Sequence, residues 1–246
     1  MIANDTSKMK ARINALLAKA ESSNFPEERD AFNAGAEKLM LRLGISIAEL
    51  ESEGKTKAEK VVEVRRTFTG DYSISWIPFV SSVARGFGHL TTLQAVNSWN
   101  SSRNSYIIGH ESDVEMFLVL LDSLTLQVKS ALLTWQKENR EDRKWMTEHQ
   151  RYLQNRSFIE GFGRKVGERL TGRRTTEEAA TSTGTALVLV SKDVRVQDWI
   201  SETYPTLGKS RGHDYSSTGY HAGQRSGATA NLNDPSIGGS GTSIEK

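Results

Sequence analysis

The chain has no cysteine in its 246 residues. Disulfides and thiolate metal sites are excluded, and a reducing, cytoplasmic setting is the expectation. It also lacks an excess of either charge. Thirty-two basic residues face thirty acidic ones, a net charge of +2, so no global field demands a nucleic-acid partner. No stretch reads as the roughly 18 apolar residues of a membrane span, so no membrane association is expected. The first ten residues, MIANDTSKMK, lack the apolar run of a signal peptide. Several chemical signatures are missing too. There is no G-x-x-x-x-G-K-[ST] phosphate loop, no dinucleotide fingerprint, no G-x-S-x-G elbow and no H-E-x-x-H pair. No cofactor is implied, and an enzyme becomes the less favoured reading.

What is present begins with two amphipathic helices. Ile13, Leu16, Leu17 and Ala20 recur at i, i+3, i+4 and i+7. The chain then breaks at Ser22-Ser23-Asn24. Asn24 is placed to cap a second helix, with Pro26 in its first turn and Glu27 three residues after the cap. Phe32, Ala36, Leu39, Met40 and Leu43 form its apolar face, and Gly44 is placed to end it. Ser46 and Glu49 make a capping box for a short third helix.

The pattern INALLAKAES, NFPEERDAF, AEKLMLRLGI resembles a domain of bacterial and phage proteins classed only as a domain of unknown function, number 2786. The resemblance covers roughly residues 9–50. Later pieces, YIIGHESDVE, SFIEGFGRKVGERL and ALVLV, are more loosely similar to the uncharacterised second domain that often follows. The resemblance implies a helical N-terminal module joined to an α+β module, often in phages or mobile elements. It implies no activity, substrate or catalytic residue.

Beyond a polar linker at 51–60, Val61–Phe68 is β-rich and reads as a strand. Ser73–Phe87 reads as a helix closed by Gly86 and Gly88. Leu90–Val96 and Ser105–Ile108 read as a hairpin around a polar turn. Ser112 and Glu115 form a second capping box, opening a helix through Leu132 that continues or restarts over 135–152. Phe158, Phe162, Val166 and Leu170 mark a further helix. Gly161, Gly163 and Gly167 within it predict close approach of a neighbour. Residues 171–185 read as a polar loop, Ala186–Val190 as a central strand, and Val194–Tyr204 as a helix. From Gly208 the chain holds eight glycines and seven serines in 39 residues. That composition buries too little surface to offset ordering entropy. The expected organisation is an α+β, mainly helical fold: a helical module over 1–58, a mixed module with a small sheet over 59–207, and a largely disordered tail over 208–246, with a short docked segment near Tyr215–His221.

Three clusters are candidates for function. Between Lys137 and Arg174 stand eleven basic and six acidic residues. On one continuous helix Lys137, Arg140, Lys144 and Arg151 would share an arc of about 60°, extended by Arg156, Arg164, Arg173 and Arg174. Such a stripe can neutralise phosphates, with Trp145 and Tyr152 available for stacking. Its alternative reading is a solvated face, salt-bridged by Glu148. The second cluster is His110, Glu111 and Asp113 at a strand-to-helix junction, read either as helix capping or as a metal-dependent hydrolase or nuclease site. The third, His213, Asp214 and His221, offers few metal ligands and reads as a polar arm. The leading expectation is a non-enzymatic binding or adaptor protein of a phage or mobile element. Its partner would be nucleic acid or a nucleic-acid-associated host protein. A protein-directed inhibitor of a host factor is a further alternative.

Overall fold

The computed structural model describes residues 2–23, 26–54, 57–95, 102–208, 215–230 and 232. The chain forms two compact units. One comprises Met1–Leu43 with Asn231–Lys246, the other Gly44–Ala230. The architecture is mainly helical with one small antiparallel sheet.

In the first unit α1 covers Ile2–Ser22, and α2 begins at Pro26 and runs to Ser52. The expected apolar faces are there. Ile13 and Ala20 of α1, and Ala36, Met40 and Leu43 of α2, are buried. Gly35 lets the helices approach, since a β-carbon there would lie 3.1 Å from Leu16 Cδ1. The Lys19 ammonium sits over the Phe32 ring at 5.6 Å. The Asn24 cap and the Leu17 and Glu27 side chains lie outside the described residues.

Gly44 does not end α2, and Ser46 does not cap a third helix. Ile47 and Ala48 continue the buried face, and their burial outweighs the roughly 1 kcal/mol that a mid-helix glycine costs. The stop comes at Gly54, whose φ of +67° is the left-handed conformation that suits a helix terminus. Its amide donates to Glu51 O.

The sheet of the second unit has the order β1-β3-β2, with β1 Val61–Phe68, β2 Leu90–Ala95 and β3 Arg103–His110. The β2–β3 pair is the expected hairpin, Leu90 opposite Gly109 and Ala95 opposite Asn104. Most of its turn lies outside the described residues. Strand alternation sends two sets of side chains to opposite faces. On one, Phe68 stacks on Trp76 of α3 (Ser73–Phe87), and Arg66 grips Asp122 of α4 (Glu111–Glu138) through two hydrogen bonds of 2.8 and 2.7 Å. On the other, Ile108 packs with Val61, Leu93, Val196 and Ile200 under α7 (Thr183–Thr203). Tyr204 just beyond α7 donates to Glu63 at 2.5 Å.

Helix α7 replaces the central strand expected at Ala186–Val190 and part of the loop expected before it. Its buried face is Thr185, Leu189, Lys192, Val196 and Ile200. That face has helical period but includes a threonine and a lysine, so the apolar run beside it mimicked a strand. Ser182 starts the helix, its Oγ accepting from the Thr185 amide at 3.2 Å. The rest of the expected loop belongs to α6, Glu148–Ala179, where Thr171, Thr175 and Thr176 donate to carbonyls one turn back.

The tail expected to be largely disordered contains α8, Ser217–Ala228. Gly219, Gly223 and Gly227 line one side of it at four-residue spacing. A β-carbon at Gly223 would stand 2.0 Å from Phe158 O, and one at Gly219 2.2 Å from Gln154 O. Gly161 meets Tyr220 O from the α6 side in the same way, while Gly163 and Gly167 of α6 meet Phe79 and Ser82 of α3. Helix α6 is thus pressed between two neighbours through its glycines, as its sequence suggested. Arg169 donates to Gly227 O and Ala230 O, fastening the end of α8. The short docked segment expected near Tyr215–His221 is thus a helix of three turns, held without large side chains by close backbone packing.

One stretch departs from the expectation that none reads as a membrane span. Helix α4 is long and apolar enough, by length and composition, to cross a membrane. Core helices meet that criterion as well, and Phe117, Leu121, Leu124 and Val128 of α4 are fully buried.

Candidate functional site

The basic stripe is not one helix. Helix α4 stops at Glu138, a single turn α5 spans Arg140–Arg143, and α6 restarts at Glu148 behind a Thr147–Gln150 capping box. The shared arc of Lys137, Arg140, Lys144 and Arg151 therefore does not exist. Its members have different surroundings. Arg151 donates to Met146 O at 2.9 Å. Arg156 is mostly buried, within reach of Ser75 Oγ at 3.4 Å and Glu160 at 3.9 Å. Arg164 pairs with Glu168 at 3.1 Å and Arg174 with Glu178 at 3.9 Å. Arg173 is half-buried, while Lys137 and Arg140 are exposed. Lys144 is exposed, 3.7 Å from Glu141 rather than paired with Glu148.

Arg143, which the stripe had not included, organises this connection. Buried and lying 4.7 Å over the Trp135 ring, it donates to Gln154 Oε1 at 2.9 Å and Asn155 Oδ1 at 2.8 Å. Burial lowers its pKa from the ordinary guanidinium value. Arg143 and Arg151 thus tie the turn at 144–147 to α6 from both sides. On that braced turn Trp145 is 87% exposed. Among the described residues it is the most exposed large hydrophobic side chain, an amphipathic ring held in water on a braced turn.

The β3–α4 junction is the second polar centre, and it is buried. No side chain caps α4. Ser112 Oγ instead donates to Glu59 Oε2 at 2.6 Å. Lys192 Nζ lies 2.6 Å from Asp113 Oδ2, an ion pair without a directional hydrogen bond. His110 places Nδ1 3.1 Å from Glu59 O and Nε2 3.3 Å from Lys192 O. Burial, then the Lys192 charge, lowers its pKa. Glu111 is exposed. The sequence neighbours His110, Glu111 and Asp113 therefore do not converge, and among the described residues no group of three His, Asp or Glu is placed to hold a metal ion. The expected capping role of Ser112 also gives way to these long-range bonds.

Beside the junction, His89 takes a φ of +55°. Its Nδ1 meets Asp193 at 3.0 Å and its Nε2 meets Glu178 at 3.3 Å. Burial opposes its protonation, but the two carboxylates prevail and raise its pKa to about 9. Arg195 and Glu51 close the row at 2.6 Å. Helix α7 thus supplies Lys192, Asp193 and Arg195 to three ion pairs, with Asp113, His89 and Glu51, a set that a strand at Ala186–Val190 conceals. Of the third cluster, His213 and Asp214 lie outside the described residues, and His221 pairs with Gln224 at 3.0 Å.

Residues 8–46 match a family model whose description is "Protein of unknown function (DUF2786)". No curated protein and no solved structure matches the chain.

Proposed function

We propose that the chain is a non-enzymatic binding protein of a phage or mobile element, acting in the cytoplasm. It engages single-stranded nucleic acid through the α5–α6 connection. Trp145 is the stacking platform, and Arg140 and Lys144 are the phosphate contacts. The observation that carries the reading is Trp145, held 87% exposed on a turn that two arginines brace. Base–aromatic stacking contributes about 1–3 kcal/mol per base and tolerates any sequence. The phage or mobile-element setting rests on the resemblance of the N-terminal helix pair stated above.

Charge plays the smaller part. From Lys137 to Glu148 four basic residues stand beside four acidic ones, so few phosphates are neutralised. Affinity then falls with salt at a slope of about −0.7 per phosphate contacted, one or two contacts in all. The buried junction at His110, Ser112 and Asp113 supports a structural role, since its polar groups are engaged with one another and shielded from solvent.

Electrophoretic shift assays with a single-stranded oligonucleotide over a salt series test the reading. Binding with that shallow slope, weakened by Arg140→Glu with Lys144→Glu, is expected. Absence of oligonucleotide binding, with one dominant host protein retained after nuclease treatment of a lysate, contradicts it.

A further inference from the structure

Two helices of the second unit carry the same pattern of exposed side chains. On α7 it is Leu187, Val190, Val194 and Asp198; on α4 it is Leu126, Lys129, Leu133 and Lys137. Both follow i, i+3, i+7, i+11, which keeps the four positions within about 80° of helix circumference. The five apolar members are 52–66% exposed. Neither stripe faces the core. The buried residues of α7 are Leu189, Lys192, Val196 and Ile200, and those of α4 are Phe117, Leu121, Leu124 and Val128.

Exposed apolar residues aligned along a helix mark an interaction surface more often than isolated ones do. The flanking charges say what covers them. The α4 stripe ends in Lys137 and includes Lys129, whereas the α7 stripe ends in Asp198 and is bordered by Asp193. Laid parallel in register, Leu126 meets Leu187, Leu133 meets Val194, and Lys137 meets Asp198. Two apolar pairs and one charge pair match, while Lys129 falls opposite Val190, its ammonium drawn 5.7 Å over the Trp76 ring. Like stripes would instead oppose lysine to lysine or aspartate to aspartate when parallel, and leucine to lysine or leucine to aspartate when antiparallel.

We propose that the α4 stripe of one copy docks on the α7 stripe of a second copy of this chain. The contact is heterologous, two different patches on two identical molecules, so each pair still offers one free stripe of each kind. Assembly then grows with concentration beyond the dimer unless the rotation closes a ring.

Sedimentation of the full chain across a concentration series, with two variants, tests this. The α4 variant carries Leu126→Glu and Leu133→Glu; the α7 variant carries Leu187→Lys and Val194→Lys. All four positions are exposed, and unchanged circular dichroism confirms the fold. The wild-type chain should rise in mean mass with concentration, and each variant alone should stay monomeric. An equal mixture should recover a one-to-one heterodimer, because each variant retains the stripe the other lacks. A wild-type chain that stays monomeric from micromolar to millimolar concentration overturns the proposal. So does a mixture that yields no heterodimer.

Discussion

The Lys192 ammonium lies 2.6 Å from the Asp113 carboxylate, and the two residues are 1% and 6% exposed. Helix α7 and the first turn of α4 are joined there by a charge pair removed from water. Taking both charges out of water is costly, and removing one partner strands the other. Lys192→Met or Asp113→Leu should each lower unfolding free energy by about 3–5 kcal/mol. Lys192→Met combined with Asp113→Leu should recover much of that loss. Urea denaturation of the four proteins as a double-mutant cycle measures the coupling; additive losses would contradict the pair.

Gly223 and Gly172 make a paired test of the packing. A β-carbon at Gly223 would meet Phe158 O at 2.0 Å, whereas one at Gly172 would meet nothing within 4 Å. Gly223→Ala should therefore cost about 3 kcal/mol by forcing α8 off α6. Gly172→Ala, in the exposed part of α6, should stabilise by about 0.5–1 kcal/mol through helix propensity. Thermal melts of both variants decide whether backbone contact holds α8.

His89 sets a pH dependence. Its folded pKa of about 9 lies above the ordinary 6.5, so the folded state binds the proton more tightly than the unfolded chain. The resulting stability is fully present below pH 6.5 and is lost as pH rises through 9. His110, shifted in the opposite direction, destabilises only as pH falls below the ordinary histidine value. The interval between 6.5 and 9 thus separates the effect of His89 from that of His110. Wild-type stability should fall across it, and His89→Gln should flatten the profile; an unchanged slope in the variant would refute the assignment.

Much of the fold was legible because its signals are local. The strand at Val61–Phe68, the helix at Ser73–Phe87 and the glycines of α6 follow from periodicity and from punctuating residues. The failures share a cause: tertiary burial overrode a local cue. Ile47 and Ala48 carried α2 through Gly44, and Thr185 and Lys192 hid the inner face of α7. Backbone contact at Gly219 and Gly223 extends the docked segment expected near Tyr215–His221 into a helix through Ala228. At the candidate site the cations were visible but their partners were not. Arg143, Arg151 and Arg156 counted as surface charge until their bonds to Gln154, Met146 O and Ser75 appeared. The exposure of Trp145 is not legible in the sequence, because nothing in a tryptophan's local pattern says whether its ring is left in water.

The most direct measurement is the affinity of Trp145→Ala for a fluorescent single-stranded oligonucleotide, read by anisotropy beside the wild-type chain at one salt concentration. Trp145 is 87% exposed, so the melting temperature should not move. If the ring stacks on a base, affinity should drop by roughly ten- to a hundredfold, the equivalent of about 1–3 kcal/mol. Equal affinity of variant and wild type, or no binding by either, would contradict a nucleic-acid site on the α5–α6 connection.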